Sequence, residues 1–257
     1  MLRTIRERFR QGYRTTGFPA GDPPAVSPRF RGLPVLDTSR CVDGCAECIA
    51  VCPTNALTHS AEEGLQLDLG KCLFCGECAS TCQRGAISFT QDYRLAVRER
   101  ENLLINETRK LRLADSLGRD LKRILGRSLR LRQVSAGGCN GCEADANVLT
   151  TVGWDMGRFG IQFVASPRHA DGLLVTGPVT NNMRLALEKT WEAVPEPKIL
   201  IASGACAISG GLFADAPEVH SGVPGIPPVD LFVPGCPPHP LTLLDGLLRL
   251  LGKLPHA

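Results

Sequence analysis

Two cysteine-bearing stretches, CVDGCAECIAVCPTNAL at residues 41–57 and CLFCGECASTCQRGAI at residues 72–87, decide how the first third of this chain folds. From Cys45 and Cys75 onward, CAECIAVCPTNAL and CGECASTCQRGAI match at a constant offset of 30 residues, so one unit is duplicated. Short alternating segments precede the two runs (Leu33 to Asp37, Leu65 to Leu69), and apolar segments follow them (Ala56 to Thr58, Ala86 to Phe89). Each copy predicts a strand, a cysteine loop with a helical turn, and a second strand. Together they predict a small, pseudo-symmetric α+β domain over residues 33–92.

The second run, C-x2-C-x2-C-x3-C, has the spacing of a bacterial-type 4Fe-4S loop, in which three close cysteines hold one cluster and the fourth reaches across to the other. The first run carries one extra residue between Cys41 and Cys45 but keeps the trailing proline, Pro53, where the second has Gln83. The spacing assigns Cys41, Cys45, Cys48 and Cys82 to one cluster and Cys72, Cys75, Cys78 and Cys52 to the other. The added residue should reshape the loop and its N–H to sulfur hydrogen bonds without removing ligation. Structural zinc also uses paired C-x2-C, but duplicated triplets with a crossing fourth cysteine favour cubanes. This region resembles bacterial two-cluster ferredoxins.

Working outward, the 257 residues are 43% hydrophobic and 21% charged, which excludes wholesale disorder and collagen-like structure. The longest uncharged apolar stretch, Ile199 to Ala214, is glycine-interrupted and short of the roughly 20 residues of a spanning helix. Residues 1–32 read as a basic extension without an export signal, which places the chain in the cytoplasm. There, thiols stay reduced, so the twelve cysteines call for metal chemistry and not disulfides. The formal net charge is only +3, yet Arg94 to Arg132 carries twelve basic and five acidic residues. Leu113, Leu117, Leu121, Ile124 and Leu125 recur there on one helical face, which predicts a basic amphipathic helix within a linker over residues 93–130. Such a helix docks on anionic lipid or a partner subunit, or simply packs its leucines on its own domain.

Over residues 131–257, LRQVSA, IQFVAS, DGLLVT, PKILIA and VDLFV read as strands, and Glu143 to Val152, Asn181 to Val194 and Pro240 to Leu251 as helices. Alternation of this kind predicts a flavodoxin-like α/β domain with a parallel sheet. Cys139 and Cys142 follow the first strand, Cys206 follows PKILIA and Cys236 follows VDLFV, so the four thiols converge at the carboxyl edge of the sheet. Their spacing alone leaves zinc or a third cubane open; the neighbourhood of two clusters favours the cubane.

GGCNGCEAD at Gly137, SPRHAD at Ser166, TGPVTNNM at Thr176, SGACAISGG at Ser203 and PGCPPHP at Pro234 resemble, in this order, the small electron-transfer subunit of group 4 membrane-associated NiFe hydrogenases, formate hydrogenlyases in particular. The resemblance implies that Cys139, Cys142, Cys206 and Cys236 hold a proximal 4Fe-4S cluster, the third in the chain, beside a catalytic large subunit. The same motifs occur in the homologous quinone-reducing subunit of respiratory complex I, whose first two ligands are adjacent cysteines; the C-x2-C at Cys139 and Cys142 is the hydrogenase-like form. The N-terminal domain resembles the separate ferredoxin-like subunit of such complexes, here fused in one chain. Fusion keeps two modules that exchange electrons at high effective concentration.

The implied partners are a NiFe hydrogenase-like large subunit, membrane subunits of the same complex, and a donor such as a formate dehydrogenase iron–sulfur subunit or ferredoxin. The implied location is the cytoplasmic face of the inner membrane, peripherally bound. The chain cannot itself carry nickel, because the family's nickel centre uses two C-x2-C pairs and no cysteine remains. Rival readings are a complex I-like quinone reductase subunit, a hydrogenase-related subunit of a complex without nickel, and a zinc scaffold. Glu143 is read as a proton-relay or hydrogen-bonding carboxylate or as a first-turn acid, His169 and His239 as residues near a cluster, and Thr176, Gly177 and Thr180 as a strand-end loop. Gly204, Gly210 and Gly211 match no nucleotide-binding pattern, and no flavin, nicotinamide or nucleic-acid site is expected.

Overall fold

The computed structural model describes residues 2–42, 44–60, 63–223 and 228–254. It begins with α1 (Leu2–Gln11) and an irregular stretch, then builds a small domain from β1 (Pro34–Leu36), α2 (Glu47–Ala50), β2 (Leu57–Ser60), β3 (Gly64–Asp68), α3 (Glu77–Thr81) and β4 (Ile87–Phe89). The duplication is closed by exchange. β1 of the first copy pairs antiparallel with β4 of the second, while β2 pairs antiparallel with β3, so neither copy stands alone.

The connector contains a short strand, β5 (Leu104–Ile105), and a helix, α4 (Arg119–Leu125). The larger domain follows with β6 (Leu129–Ser135), α5 (Gly141–Val148), β7 (Ile161–Phe163), β8 (Gly172–Thr176), α6 (Asn181–Ala193), β9 (Ile199–Ser203), α7 (Ala205–Ser209), β10 (Leu231–Val233) and α8 (Pro240–Leu250). Its five strands are all parallel in the order β7-β6-β8-β9-β10, the flavodoxin-like order. β8 and β9 are buried along their whole length because both faces of the sheet are covered. Leu174, Ile199, Ile201, Leu231 and Val233 pack with α8, Ala146, Phe18, Leu117 and Leu125. Leu173, Val175, Leu200 and Ala202 belong to one continuous core with Leu57, Leu67 and Leu69 of the ferredoxin-like region and Leu103 of the connector. The two modules therefore share a hydrophobic core.

The connector corrects one expectation. Helix forms only over Arg119–Leu125, between Gly118 and Gly126, and not from Leu113 onward. There the backbone has better partners than its own next turn: Ala114 N–H donates to Ala96 O at 2.8 Å and Leu117 N–H to Leu250 O at 2.9 Å, while further upstream Val97 exchanges both hydrogen bonds with Phe232 of the edge strand β10, at 3.0 and 2.8 Å, and β5 pairs with β3. An edge strand left bare would be a liability, and this segment covers it. Leu117 and Leu125 are buried, as the packing alternative requires, while Ile124 stays exposed.

Candidate metal centres

Each cysteine run places three thiols by a tight loop and sends the fourth out at the end of a single helical turn. Cys52 Sγ accepts a hydrogen bond from Ala56 N–H at 3.3 Å, and Cys82 Sγ accepts one from Ala86 N–H at the same distance, so the repeat extends to hydrogen bonding. Cys41, Cys45, Cys48 and Cys82 line one cavity of about 640 Å³, together with Arg40, His59 and Arg84. Cys52, Cys72, Cys75 and Cys78 line a second, much smaller cavity of about 20 Å³. Burial pushes the Cys72 thiol up to about 12 and the Cys78 thiol up to about 11, with neighbouring thiols of the same set adding to both. The backbone N–H of Ala86 pulls Cys82 the other way, below the usual thiol range. Thiols held this high bind as thiolates only when a metal replaces the proton.

The third group assembles at the carboxyl edge of the parallel sheet, beside the point where strand order reverses between β6 and β8. Asn140 takes a left-handed turn (φ 70°), a conformation asparagine tolerates, and this starts α5 between Cys139 and Cys142. Gly204 N–H donates to Val233 O at 2.9 Å and Ala205 N–H to Gly235 O at 2.8 Å, which ties the loop bearing Cys206 to the loop bearing Cys236. Gly204 has φ 92°, and a Cβ there would stand 2.6 Å from Cys142 Sγ. Gly211 likewise faces Cys206 Sγ, whereas Gly210 crowds Ala214 and Ser221, so two of the three glycines admit the thiols. Burial pushes Cys142 strongly up, with Cys206, Glu143, Cys236 and Cys139 adding. Cys206 rises to about 11, again through burial first. Cys139 and Cys236 are exposed, while Cys142 and Cys206 are half-buried.

Thr176 and Gly177 close the strand-end loop against the approach to Cys139: a Cβ at Gly177 (φ 83°) would meet Gly138 N at 2.6 Å, and Thr180 N–H donates to Ala136 O. Glu143 is buried and accepts a hydrogen bond from Thr176 Oγ1 at 2.6 Å, which fixes its carboxylate between β8 and α5. His239 caps α8, its Nδ1 accepting from Leu241 N–H at 3.1 Å, with Phe30 and Trp154 edge-on to its ring. Burial holds it below the usual histidine range, against the pull of Asp145. His169 is different: it lies exposed in the turn before Gly172, at the amino end of β8, away from the thiols. The motif SPRHAD serves the crossover and not the site.

No motif pointed to the residues that fill the space between the second and third groups. Arg29, Phe30 and Arg31 line a cleft of about 250 Å³ with Leu73, Phe74, Cys236 and His239. Arg31 lies directly over Gly76 of the second cysteine loop. On the other side, Ser209 Oγ donates to Gly70 O at 2.9 Å, two residues before Cys72 and three after Cys206. Among the described residues, no trio of cysteine, histidine, aspartate or glutamate closes around a single metal ion. The donor chemistry fits the 4Fe-4S group: each set is four thiols, and glycines let the backbone come close.

The model of the 4Fe-4S dicluster domain matches residues 33–83, and that of the NADH ubiquinone oxidoreductase 20 kDa subunit matches residues 139–250. A probable membrane-bound hydrogenase subunit, mbhJ, from Pyrococcus furiosus is 42% identical over 59% of this chain and 90% of its own length. Formate hydrogenlyase subunit 7 of Escherichia coli is 45% identical over 54% of each chain. An NADH-quinone oxidoreductase subunit from Heliobacterium modesticaldum is 49% identical over 39% of this chain and 58% of its own.

Proposed function

Because the chain belongs to the family that joins the NADH ubiquinone oxidoreductase 20 kDa subunit to its counterparts in membrane-bound hydrogenases, we propose that it is an electron relay feeding hydrogen evolution on a NiFe large subunit. A 4Fe-4S cluster supplies one-electron storage at each of three thiol sites. The observation that carries this reading is the contiguity of those sites. The first and second sites are neighbours because each run sends its last cysteine, Cys52 or Cys82, into the other's cavity, and the second and third are neighbours because Leu73 and Phe74 of the second loop line one cleft with Cys236. The thiols thus order the sites as Cys41/45/48/82, then Cys52/72/75/78, then Cys139/142/206/236. Exposed Cys41 and Cys45 face a donor at one end; exposed Cys139 and Cys236 face the large subunit at the other.

The shared core, together with the Ser209 to Gly70 hydrogen bond, holds the second and third sites in one geometry, and the Arg100 to Asp68 ion pair (2.8 and 2.6 Å) ties the connector to β3. Membrane subunits of the same complex are the further partners. A second reading, delivery to quinone, is favoured by the identity with the NADH-quinone oxidoreductase relative over the cluster-bearing domain. The C-x2-C at Cys139 and Cys142 favours the hydrogenase. Hydrogen evolution by the intact complex from a strong reductant, measured beside quinone reduction, tests the choice. Cys139→Ser and Cys206→Ser are expected to abolish hydrogen evolution while the first two sites stay reducible; quinone reduction with no hydrogen evolution by the wild-type complex would establish the second reading.

A further inference from the structure

Among the described residues no helix is long and apolar enough to cross a membrane. The helix α1 has another character. None of its ten residues is buried, and Leu2 and Phe9 are each 84% exposed, Ile5 49% and the following Tyr13 88%. At about 100° per residue, Leu2, Ile5 and Phe9 fall within an arc of about 60°. Arg6 stands on one side of that arc and Arg8 on the other, with Arg3 and Arg10 beyond Arg6; the one acid, Glu7, stands nearly opposite the apolar arc. The segment that follows the helix is held to the body. Thr16 N–H donates to Gly153 O and Thr15 Oγ1 to Val152 O, both at 2.9 Å; Arg158 donates to Thr16 O and Phe18 O at 2.7 and 2.6 Å, and Phe18 is buried. Val152, at this anchor, is itself exposed.

We propose that α1 lies flat in the headgroup layer of an anionic bilayer, Leu2, Ile5 and Phe9 downward and the arginines at the waterline, and seats this chain on the membrane. This rests on the reading of the chain as a peripheral subunit of a membrane-bound complex. Charge placement decides the occupant. Arginines flanking an apolar stripe reach lipid phosphates on both sides with their long stems, and the acid is turned to water, as an interfacial helix requires. A protein groove would accept the apolar stripe but has no need of basic residues on both flanks with the acid kept away. The role that the sequence suggests for residues 113–130 thus moves to residues 2–11, since α4 has only seven residues and buries Leu125.

The experiment is flotation of the anaerobically reconstituted full chain with vesicles of phosphatidylcholine alone or mixed with phosphatidylglycerol, across a salt series. The chain should float with the mixed vesicles and be released by salt. Each glutamine placed at Arg3, Arg6, Arg8 or Arg10 should weaken binding about fivefold, and Ile5→Asp with Phe9→Asp should abolish it. Equal partition onto the two vesicle types, or arginine variants that float like wild type, would overturn the proposal. So would Phe9→Asp if it left flotation intact but released the chain from the detergent-purified complex, the mark of a protein groove. Iron content and dithionite reduction, read on the same samples, test the relay separately; their loss with flotation retained would sink the relay and leave the docking.

Discussion

The two halves of the duplicated domain start from nearly the same sequence and end in different sites. The second buries Cys72 and Cys78 and exposes only Cys75 of its own run's three close thiols, around a cavity of about 20 Å³, while the first exposes both Cys41 and Cys45 at the mouth of one of about 640 Å³. The sequence difference between the two loops is small: one added residue before Cys45, with Gly44 in a left-handed turn (φ 76°) where a Cβ would meet only open space. The core shared with the parallel sheet lies on the side of the second site, where Gly70 meets Ile208 and Ser209. On the relay proposed above, the duplicated fold becomes directional: the more open site serves exchange with an outside donor, the more closed one passage inward.

The largest test of that comparison breaks both halves at once. Cys82→Ser should remove the EPR signal of the open site and Cys52→Ser that of the closed one, because each trailing cysteine lines the other run's cavity. Loss of the signal of its own run in each variant would refute the crossing. Next, an iron chelator should strip the open site well before the closed site, and deleting Gly44 to restore C-x2-C should slow that loss several-fold; chelation followed by absorbance checks both. A smaller effect comes from Arg31, whose guanidinium lies over the closed loop. Positive charge there favours the more negative, reduced state, so Arg31→Gln should lower the potential of the closed site on the order of tens of millivolts and leave the open site unchanged in a redox titration. Smallest is Arg100→Met, which removes the bidentate ion pair with Asp68 and should cost about 1–2 kcal/mol, read as a lowered thermal midpoint with all clusters present.

Much of this was legible in the chain because thiol ligands obey local spacing. C-x2-C-x2-C-x3-C fixes a loop within a dozen residues, and apolar runs such as LLVT and ILIAS betray strands buried on both faces. The convergence of Cys139, Cys206 and Cys236 followed from topology, since parallel strands end at one edge. The connector was not legible. Leu113, Leu117 and Leu125 keep a helical period, yet the backbone N–H of Leu117 bonds Leu250 O, more than 130 residues away, and periodicity does not report such a competitor. Nor was the place of Arg29 to Arg31, which depends on how two modules sit together. The helix α1 left a trace in the spacing of Leu2, Ile5 and Phe9, masked by the many arginines around it.

The central claim is that three four-thiol sites form one electron path through this chain. Its most direct test is the count of iron, acid-labile sulfide and zinc in the anaerobically purified, fully reconstituted chain. Three 4Fe-4S sites predict about twelve iron and about twelve sulfide per chain with zinc only in traces. About eight iron with one zinc would show that Cys139, Cys142, Cys206 and Cys236 hold a structural ion, and the path would end at the second site.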